Sequence, residues 1–483
     1  MRYAHAVADV RSAERELMAR LPDGTLMQRA AFGLATIAAG MLRGEAGSVY
    51  GSRVVLLVGV GDNGGDALYA GALLAQRGVT VHAVLADPAR AHADGLLALR
   101  DAGGRVVLAF EAEPVLLRAD LIVDGLLGIG GSGGLRGTFA ALAHSAAQAG
   151  GAPILAVDLP SGVDADTGEV LAPYETPCVA VQADATVTFG THKPGLFLDP
   201  GAGHAGIIEF VDIGLEFPPS VAPVLENLQQ EDVRALLPEP ARSSHKYSRG
   251  VVGLAVGSER YPGAALLSVG AALRSGVGAV RYSGPVDVVR AHPEVITGEG
   301  RVQAWVVGSG LGQDDEARRR LHEVLATDVP VVIDADGLRM LPQKALDRSA
   351  PTILTPHSGE AAQLLGVSAA EIEGQRLASV RRLAELYDAT VLLKGTLTLI
   401  CDPPNTTVRV NTHASPVLAT AGSGDVLAGL IGGLLASGLS AYDAASVGAY
   451  VHGAAGLLAA RSGPVAAGDL VATLPLAWQN IQE

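Results

Sequence analysis

Short apolar runs that end in glycine and acid recur along the whole chain, and their spacing predicts an α/β fold twice over. The run 53–58, Arg-Val-Val-Leu-Leu-Val, has no polar alternation inside it, which predicts a strand buried on both faces. A helical stretch, Ala67 to Arg77, follows one glycine-rich turn later. Apolar runs at 80–85, 105–109, 121–123 and 154–157 alternate with helical stretches such as 89–102, the pattern of a doubly wound, Rossmann-like parallel sheet. Ahead of them, residues 13–42 carry helical spacing broken at Pro22-Asp23-Gly24, which predicts two helices. The second half repeats the scheme with strands predicted at 251–256, 305–307, 331–333, 352–354 and 391–393. Val426 to Leu435 is apolar throughout and predicts a buried helix. Between the halves, Leu215 to Arg242 bears Pro and Glu and only one modest helical stretch. Two α/β domains are therefore expected, residues 1–218 and 245–483, with 219–244 as linker.

Parallel strands deliver their C-terminal loops to one sheet edge, where α/β proteins bind ligands. Three such loops in the first half carry acids: Gly59 to Asp66 with Asp62, Asn63, Gly64, Gly65 and Asp66; Asp124 to Gly134; and Asp158-Leu159-Pro160-Ser161-Gly162-Val163-Asp164. Any one of them alone is more simply a turn. The first departs from the GxGxxG spacing, and its acids would repel a pyrophosphate, so sugar hydroxyls, an amide or a monovalent cation suit it better. In the second half, Lys394-Gly395-Thr396 directly after a buried strand is placed to meet phosphate oxygens. Ala421-Gly422-Ser423-Gly424-Asp425-Val426 opens the buried helix, whose unpaired N–H groups form an anion cradle. A carboxylate is a poor phosphate ligand, so Asp425 reads as a base for a hydroxyl attacking a phosphoryl group, or as a favourable first-turn charge.

Composition narrows the partners. The net charge is −15, and Arg318-Arg319-Arg320 lies one residue after the acids Asp314, Asp315 and Glu316, which argues against nucleic acid or an anionic membrane surface. Only Cys178 and Cys401 occur, far apart, and the expectation is two buried structural thiols rather than a disulfide or thiolate metal site. Neither a secretory leader nor a run of about 20 apolar residues is evident, so a cytoplasmic protein is expected.

Taken together, Asp62 to Asp66, Asp124-Gly125-Leu126-Leu127-Gly128, Asp158 to Gly162 and Thr191-His192-Lys193-Pro194-Gly195 resemble the NAD(P)H-hydrate epimerase domain, also called the YjeF N-terminal domain. The resemblance implies that Asn63, Asp124 and Ser161 hold K+, and that residues 62–66, the loop Gly128, Ile129, Gly130, Gly131, Ser132, Gly133 and Gly134, and Asp158 contact the hydrated nicotinamide nucleotide. It also implies Asp158 as the acid or base that interconverts the epimers. Here Asp62 and Ala67 stand where Asn and Gly are usual.

Gly310-Leu311-Gly312, Asp334-Ala335-Asp336-Gly337, Thr355 to Glu360, Lys394-Gly395-Thr396 and Gly422 to Asp425 occur in the order of the NAD(P)H-hydrate dehydratase domain, which is ribokinase-like. That resemblance implies that Ala264, Gly310, His357 and Asp425 face the hydrated nucleotide. It assigns Lys394, Gly395, Thr396, Leu397, Thr398 and Gly424 to the adenine nucleotide. Ser358 replaces the usual Pro, Ala421 the usual Gly, and Ala414-Ser415-Pro416 the commoner Gly-Asn-Pro.

The implied protein is a repair enzyme that epimerises hydrated NADH and NADPH (NADHX and NADPHX). It dehydrates the S form with ADP and Mg2+, Asp425 serving as base, and a homo-oligomer is expected. A ribokinase-like vitamin or sugar kinase with an N-terminal binding domain is the alternative, because the glycine-aspartate motif serves such kinases too.

Overall fold

The computed structural model describes residues 1–131, 133–171, 180–413 and 416–483. The chain forms two compact units, Tyr3–Val224 and Leu225–Glu483 with the first two residues.

The first unit is built on strands β1 (Arg53–Val58), β2 (Thr80–Leu85), β3 (Arg105–Leu108), β4 (Leu121–Gly125), β5 (Ile154–Val157), β6 (Ala185–Phe189) and β7 (Ile207–Val211). They pair in the order β3-β2-β1-β4-β5-β6-β7, every pair parallel. The order reverses between β1 and β4, the switch point beside which doubly wound sheets bind their ligands. Val54, Leu56 and Val58 of β1 pack with the helices Thr25–Glu45 and Asp62–Gln76, whereas Val55 and Leu57 pack with the helix Gly137–Gln148. Because successive side chains point to opposite faces, a strand covered on both must be apolar at every position.

The helix after β1 starts at Asp62, not at Ala67 as the glycine count suggests. Gly61, at φ 89°, makes the turn, and Gly64 and Gly65 are already helical. A methyl at Gly64 would lie 2.7 Å from the Gly59 carbonyl oxygen, so close helix-to-strand packing demands the glycine rather than loop flexibility.

The second unit contains β8 (Leu225–Asn227), β9 (Val251–Ala255), β10 (Ala279–Tyr282), β11 (Ile296–Thr297), β12 (Ala304–Val307), β13 (Val331–Ile333), β14 (Thr352–Leu354), β15 (Thr390–Leu393), β16 (Thr398–Cys401) and β17 (Val408–Asn411). The order is β8-β17-β16-β15-β14-β13-β12-β9-β10-β11, antiparallel only where β16 meets its two neighbours. Residues 225–236, inside the segment expected to be linker, form β8 and the helix Gln230–Leu236. Leu225 and Val233 are fully buried, and Asn227 donates to the Val410 carbonyl at 2.8 Å. Three residues are too few to display a strand period, which hides β8 from pattern reading. Among the described residues no helix is long and apolar enough to cross a membrane. Cys401 is buried and free, whereas Cys178 lies outside the described residues.

The helix Ser423–Ala436 is buried along almost its whole length. Its glycines are contact points. A methyl at Gly429 would lie 2.1 Å from the Ser268 carbonyl oxygen, and one at Gly432 would lie 2.1 Å from Val306 Cγ2. Gly429→Ala is expected to destabilise the second unit by about 1–3 kcal/mol in urea melts, overpacking against backbone outweighing the gain in helix propensity. Gly468→Ala is the control: its methyl meets nothing within 4 Å, and stability should hold or rise.

Candidate functional sites

In the first unit, the loops after β1, β4 and β5 interlock. A methyl at Gly59 would lie 1.8 Å from the Leu126 carbonyl oxygen, and one at Gly128 would lie 2.8 Å from Asn63 Oδ1. Asp124, at the end of β4, is fully buried. It accepts from the Ser161 N–H at 2.8 Å and the Ser161 hydroxyl at 2.7 Å, and that hydroxyl also receives the Leu127 N–H at 2.9 Å. No cationic side chain pairs with Asp124 among the described residues, and burial pushes its carboxyl up to about 6, against the pull of these hydrogen bonds. One end of the Asn63 amide, Nδ2, is likewise buried without a partner. Asn63, Asp124 and Ser161 thus gather around the interlocked loops.

Asp158 follows β5 in the left-handed region, φ 65°, a conformation that costs energy for a residue with a side chain. Its Oδ1 receives three hydrogen bonds: Lys193 Nζ at 2.5 Å, Thr188 Oγ1 at 3.2 Å and the Phe189 N–H at 3.3 Å. Lys193 is almost completely buried and donates also to the Phe189 carbonyl at 3.0 Å. The motif Thr191 to Gly195 contains Lys193 without indicating a role for it. A strand-to-loop lysine looks solvated until its partner, 35 positions away, is known.

Asp62 and Asp66 line a cleft of roughly 410 Å³ together with Glu14, Tyr69, His92, Phe189 and Ile213. Burial and the charges of Asp158, Asp62 and Glu14 raise the Asp66 carboxyl well above the usual range, with Lys193 opposing. Glu14 is raised by burial in the same way. Gly131, Gly133 and Gly134 line a different, small recess with Gly162 and Asp164. Ile129 accepts a hydrogen bond from Arg11 on its carbonyl at 3.4 Å, and Arg11 Nη2 also lies beside Gly130. Ser132 lies outside the described residues.

In the second unit the centre is Asp334, at the end of β13 and 2% exposed. Ser309 donates to it at 3.0 Å, Thr355 at 2.8 Å and Lys394 at 2.9 Å, one from each of three other strand ends. Burial works against the Lys394 charge, yet Asp334, Glu360 and Asp425 together raise its ammonium. Glu360 accepts from the His357 N–H at 3.0 Å and lies 3.9 Å from Lys394. His357 caps the helix Ser358–Leu365 and is itself half exposed. A methyl at Gly310 would lie 2.6 Å from that of Ala264, so these two predicted contacts are neighbours.

Asp425 sits in the first turn of the helix Ser423–Ala436. Burial first, and Asp334 and Asp336 next, push its carboxyl up to about 6, against Ser309 and Lys394. A methyl on Gly424 would lie 3.3 Å from Lys394 Nζ. Lys394, Gly395, Thr396, Thr398 and Gly424 line one cleft of roughly 720 Å³ with Leu418, Leu427 and His452. Leu397 is not among its walls. His452, buried and 3.3 Å from Ser423 Oγ, is driven by burial down to about 4 and is neutral at pH 7. Nothing in its helical, small-residue surroundings marks it in the sequence. Of the departures from the family pattern, residues 414 and 415 lie outside the described residues.

Among the described residues, no three His, Cys, Asp or Glu side chains cluster as a metal cage. A divalent ion in the second unit would therefore draw its ligands from nucleotide phosphates and water as well as from carboxylates.

Removing one member of a buried ion pair leaves the other charge unpaired. Lys193→Met should lower the stability of the first unit by about 3–5 kcal/mol in urea melts, and adding Asp158→Asn should recover much of the loss.

The chain matches the sequence models of two families. One, described as YjeF-related protein N-terminus, spans residues 23–195, and the other, described as NAD(P)H-hydrate dehydratase, spans 252–476. The bifunctional NAD(P)H-hydrate repair enzyme Nnr of Mycobacterium leprae is 47% identical over 475 residues, covering 96% of each chain. The enzyme of the same name from Mycobacterium tuberculosis H37Rv is 46% identical over 456 residues, covering 92% of each. Among solved structures, the ADP/ATP-dependent NAD(P)H-hydrate dehydratase of Bacillus subtilis, co-crystallized with ATP/Mg2+, matches with a TM-score of 0.51 and 30% identity. That match covers 53% of this chain and 99% of the other, and the fold of the second unit is ribokinase-like. With two domain families matched in tandem and 47% identity sustained over 96% of both lengths, the chain belongs to the bifunctional NAD(P)H-hydrate repair enzymes.

Proposed function

We propose that this chain restores hydrated NADH and NADPH: the first unit interconverts the R and S hydrates, and the second removes water from the S hydrate at the expense of ADP. The observation that carries the second activity is the placement of Asp425 in the first turn of a helix next to Gly424, which with Lys394 and Ser423 lines a cleft large enough for a nucleotide.

The chemistry follows from those groups. With its carboxyl near 6, Asp425 is ionised at pH 7 and still basic enough to accept a proton. It takes the proton of the hydrate hydroxyl, whose oxygen bonds the terminal phosphorus of ADP, and AMP departs. Lys394 and the first-turn N–H groups of Gly424 and Asp425 offset the charge on the phosphoryl oxygens. Mg2+, when bound with the nucleotide, supplies further neutralisation of phosphate charge. The ring carbon–oxygen bond then breaks with phosphate as leaving group, the adjacent carbon loses its proton, and the double bond returns. Phosphate leaves far more readily than hydroxide, which is the reason to spend a nucleotide. Gly310, Ala264 and His357 would face the ring, and residues 394–398 the adenine nucleotide.

In the first unit Asp158 is the acid or base. All three of its protein hydrogen bonds among the described residues end on Oδ1, so Oδ2 is the oxygen available for proton transfer. Lys193 holds the carboxylate in place. Asn63, Asp124 and Ser161 would bind K+, a reading supported by a fully buried carboxylate with no cationic side chain beside it among the described residues. Such an ion would supply a positive charge that no described side chain brings to Asp124. The cleft beside Asp62 and Asp66 suits the uncharged hydrated ring better than a pyrophosphate. A cytoplasmic homo-oligomer is the setting we assign to the enzyme.

Recovery of NADH absorbance from its hydrate in the presence of ADP tests the function. Growth of absorbance supports the repair reading, and its absence together with ATP-dependent phosphorylation of a vitamin alcohol supports the kinase alternative. Asp425→Asn should slow recovery by about 10²–10⁴-fold, and the parent rate should fall as pH drops through about 6, where Asp425 takes up its proton.

Potassium can be tested apart from activity. A carboxyl whose folded value lies above its unfolded one stabilises the protonated native state, so stability declines as pH rises from about 4 to about 6. In choline salts Asp124 should therefore cost up to roughly 3 kcal/mol across that window. Potassium should recover most of it, and Asp124→Asn should abolish the difference between the salts. Equal melts of the parent in both salts would remove the ion from this site.

A further inference from the structure

Of the residues assigned to the adenine nucleotide, 394–397 form the loop between β15 and β16, and Thr398 opens β16. The guanidinium of Arg376, at the start of the helix Arg376–Tyr387, supports that loop. Arg376 is 6% exposed. Its Nη2 donates to the carbonyls of Leu393 at 3.2 Å, Lys394 at 3.1 Å and Leu397 at 3.0 Å, both stems of the loop at once. Its Nη1 donates to Glu373 at 3.0 Å and to Ser358 Oγ at 3.3 Å, and Ser358 in turn hydrogen-bonds Glu373. The fit is close: a methyl on Gly395 would lie 2.4 Å from Nη2.

From this geometry we infer that Arg376 is a positioning residue of the nucleotide site, fixing the backbone of residues 393–397 while Glu373 and Ser358 fix Arg376. The inference rests on the nucleotide assignment above. Each end of the clamp has a physical reason. Carbonyls in a tight turn otherwise need water, and a planar fork of donors satisfies several at once, which a lysine ammonium on a flexible stem does not. Ser358 gives this chain a contact that the usual Pro lacks, because Pro has no hydroxyl to place between the arginine and Glu373. The same residue opens the helix capped by His357. A preorganised loop avoids an ordering cost on each binding event.

Initial rates with ADP and hydrated NADH varied separately, on the full chain, test this. Arg376→Ala should raise KM for ADP about tenfold or more, with kcat and the KM for the hydrate within about twofold. Arg376→Lys, which keeps the buried charge, should show the same defect. Ser358→Pro, tolerated at the first position of a helix, should raise KM for ADP about threefold, the worth of one hydrogen bond. The inference is overturned by a parent-like KM for ADP in Arg376→Lys, or by Arg376→Ala raising both KM values alike, the mark of a distortion spread over the whole site. If the parent converts the hydrate without ADP or ATP, the nucleotide assignment fails and this inference with it; a responsive parent with an unresponsive Arg376→Ala defeats the inference alone.

Discussion

Parallel strand pairing is the constraint on which both halves of this protein depend. In a parallel sheet every strand ends on the same edge, and residues far apart in sequence meet there without any local signal. Asp334 illustrates the result: its donors come from Ser309, Thr355 and Lys394, the loops after three other strands. Asp124 and Ser161 meet across β4 and β5 in the same manner. Register therefore decides the chemistry, because a one-residue slip would turn each end-of-strand acid to the opposite face.

The two units use one electrostatic device. Each buries a carboxylate at a strand end and neutralises it with a lysine from a later strand end, Asp158 with Lys193 and Asp334 with Lys394. Each then keeps a further carboxyl without such a partner, Asp124 in the first and Asp425 in the second, and burial lifts both to about 6. Each ion pair fixes its carboxylate in place, since a buried pair tolerates little movement, and in Asp158 this holds Oδ1 while Oδ2 stays open. The unpaired ones are the positions where an added charge or a moving proton changes most. Backbone strain falls at the same places: Asp158 and Ala335 are two of the three non-glycine residues with positive φ among the described residues.

Glycine has two separate duties here. At Gly61 and Gly422 it supplies positive φ ahead of a helix. At Gly64, Gly429 and Gly432 it lets a helix approach backbone or a neighbouring side chain at distances no Cβ permits. The first duty is a turn signal, and the second is packing. Confusing the two moves the start of the helix after β1 by five residues.

By itself the sequence determined the α/β class, the two-fold repetition of the plan and the acid-bearing loops, because strands buried on both faces must be apolar throughout and helices that meet phosphate must open on small residues. The family motifs were legible for the same reason: each lies within a few consecutive residues at a strand end. Lys193, Glu14, His452 and the Arg376 clamp were not legible, since their meaning lies in partners tens of positions away. The strand Leu225–Asn227 was too short to show a period, and its place beside β17 is fixed only by what it buries. Which acids are paired and which are left to ionise is likewise a fact of tertiary structure: charge is written in the sequence, but its neighbours and its distance from water are set by the fold.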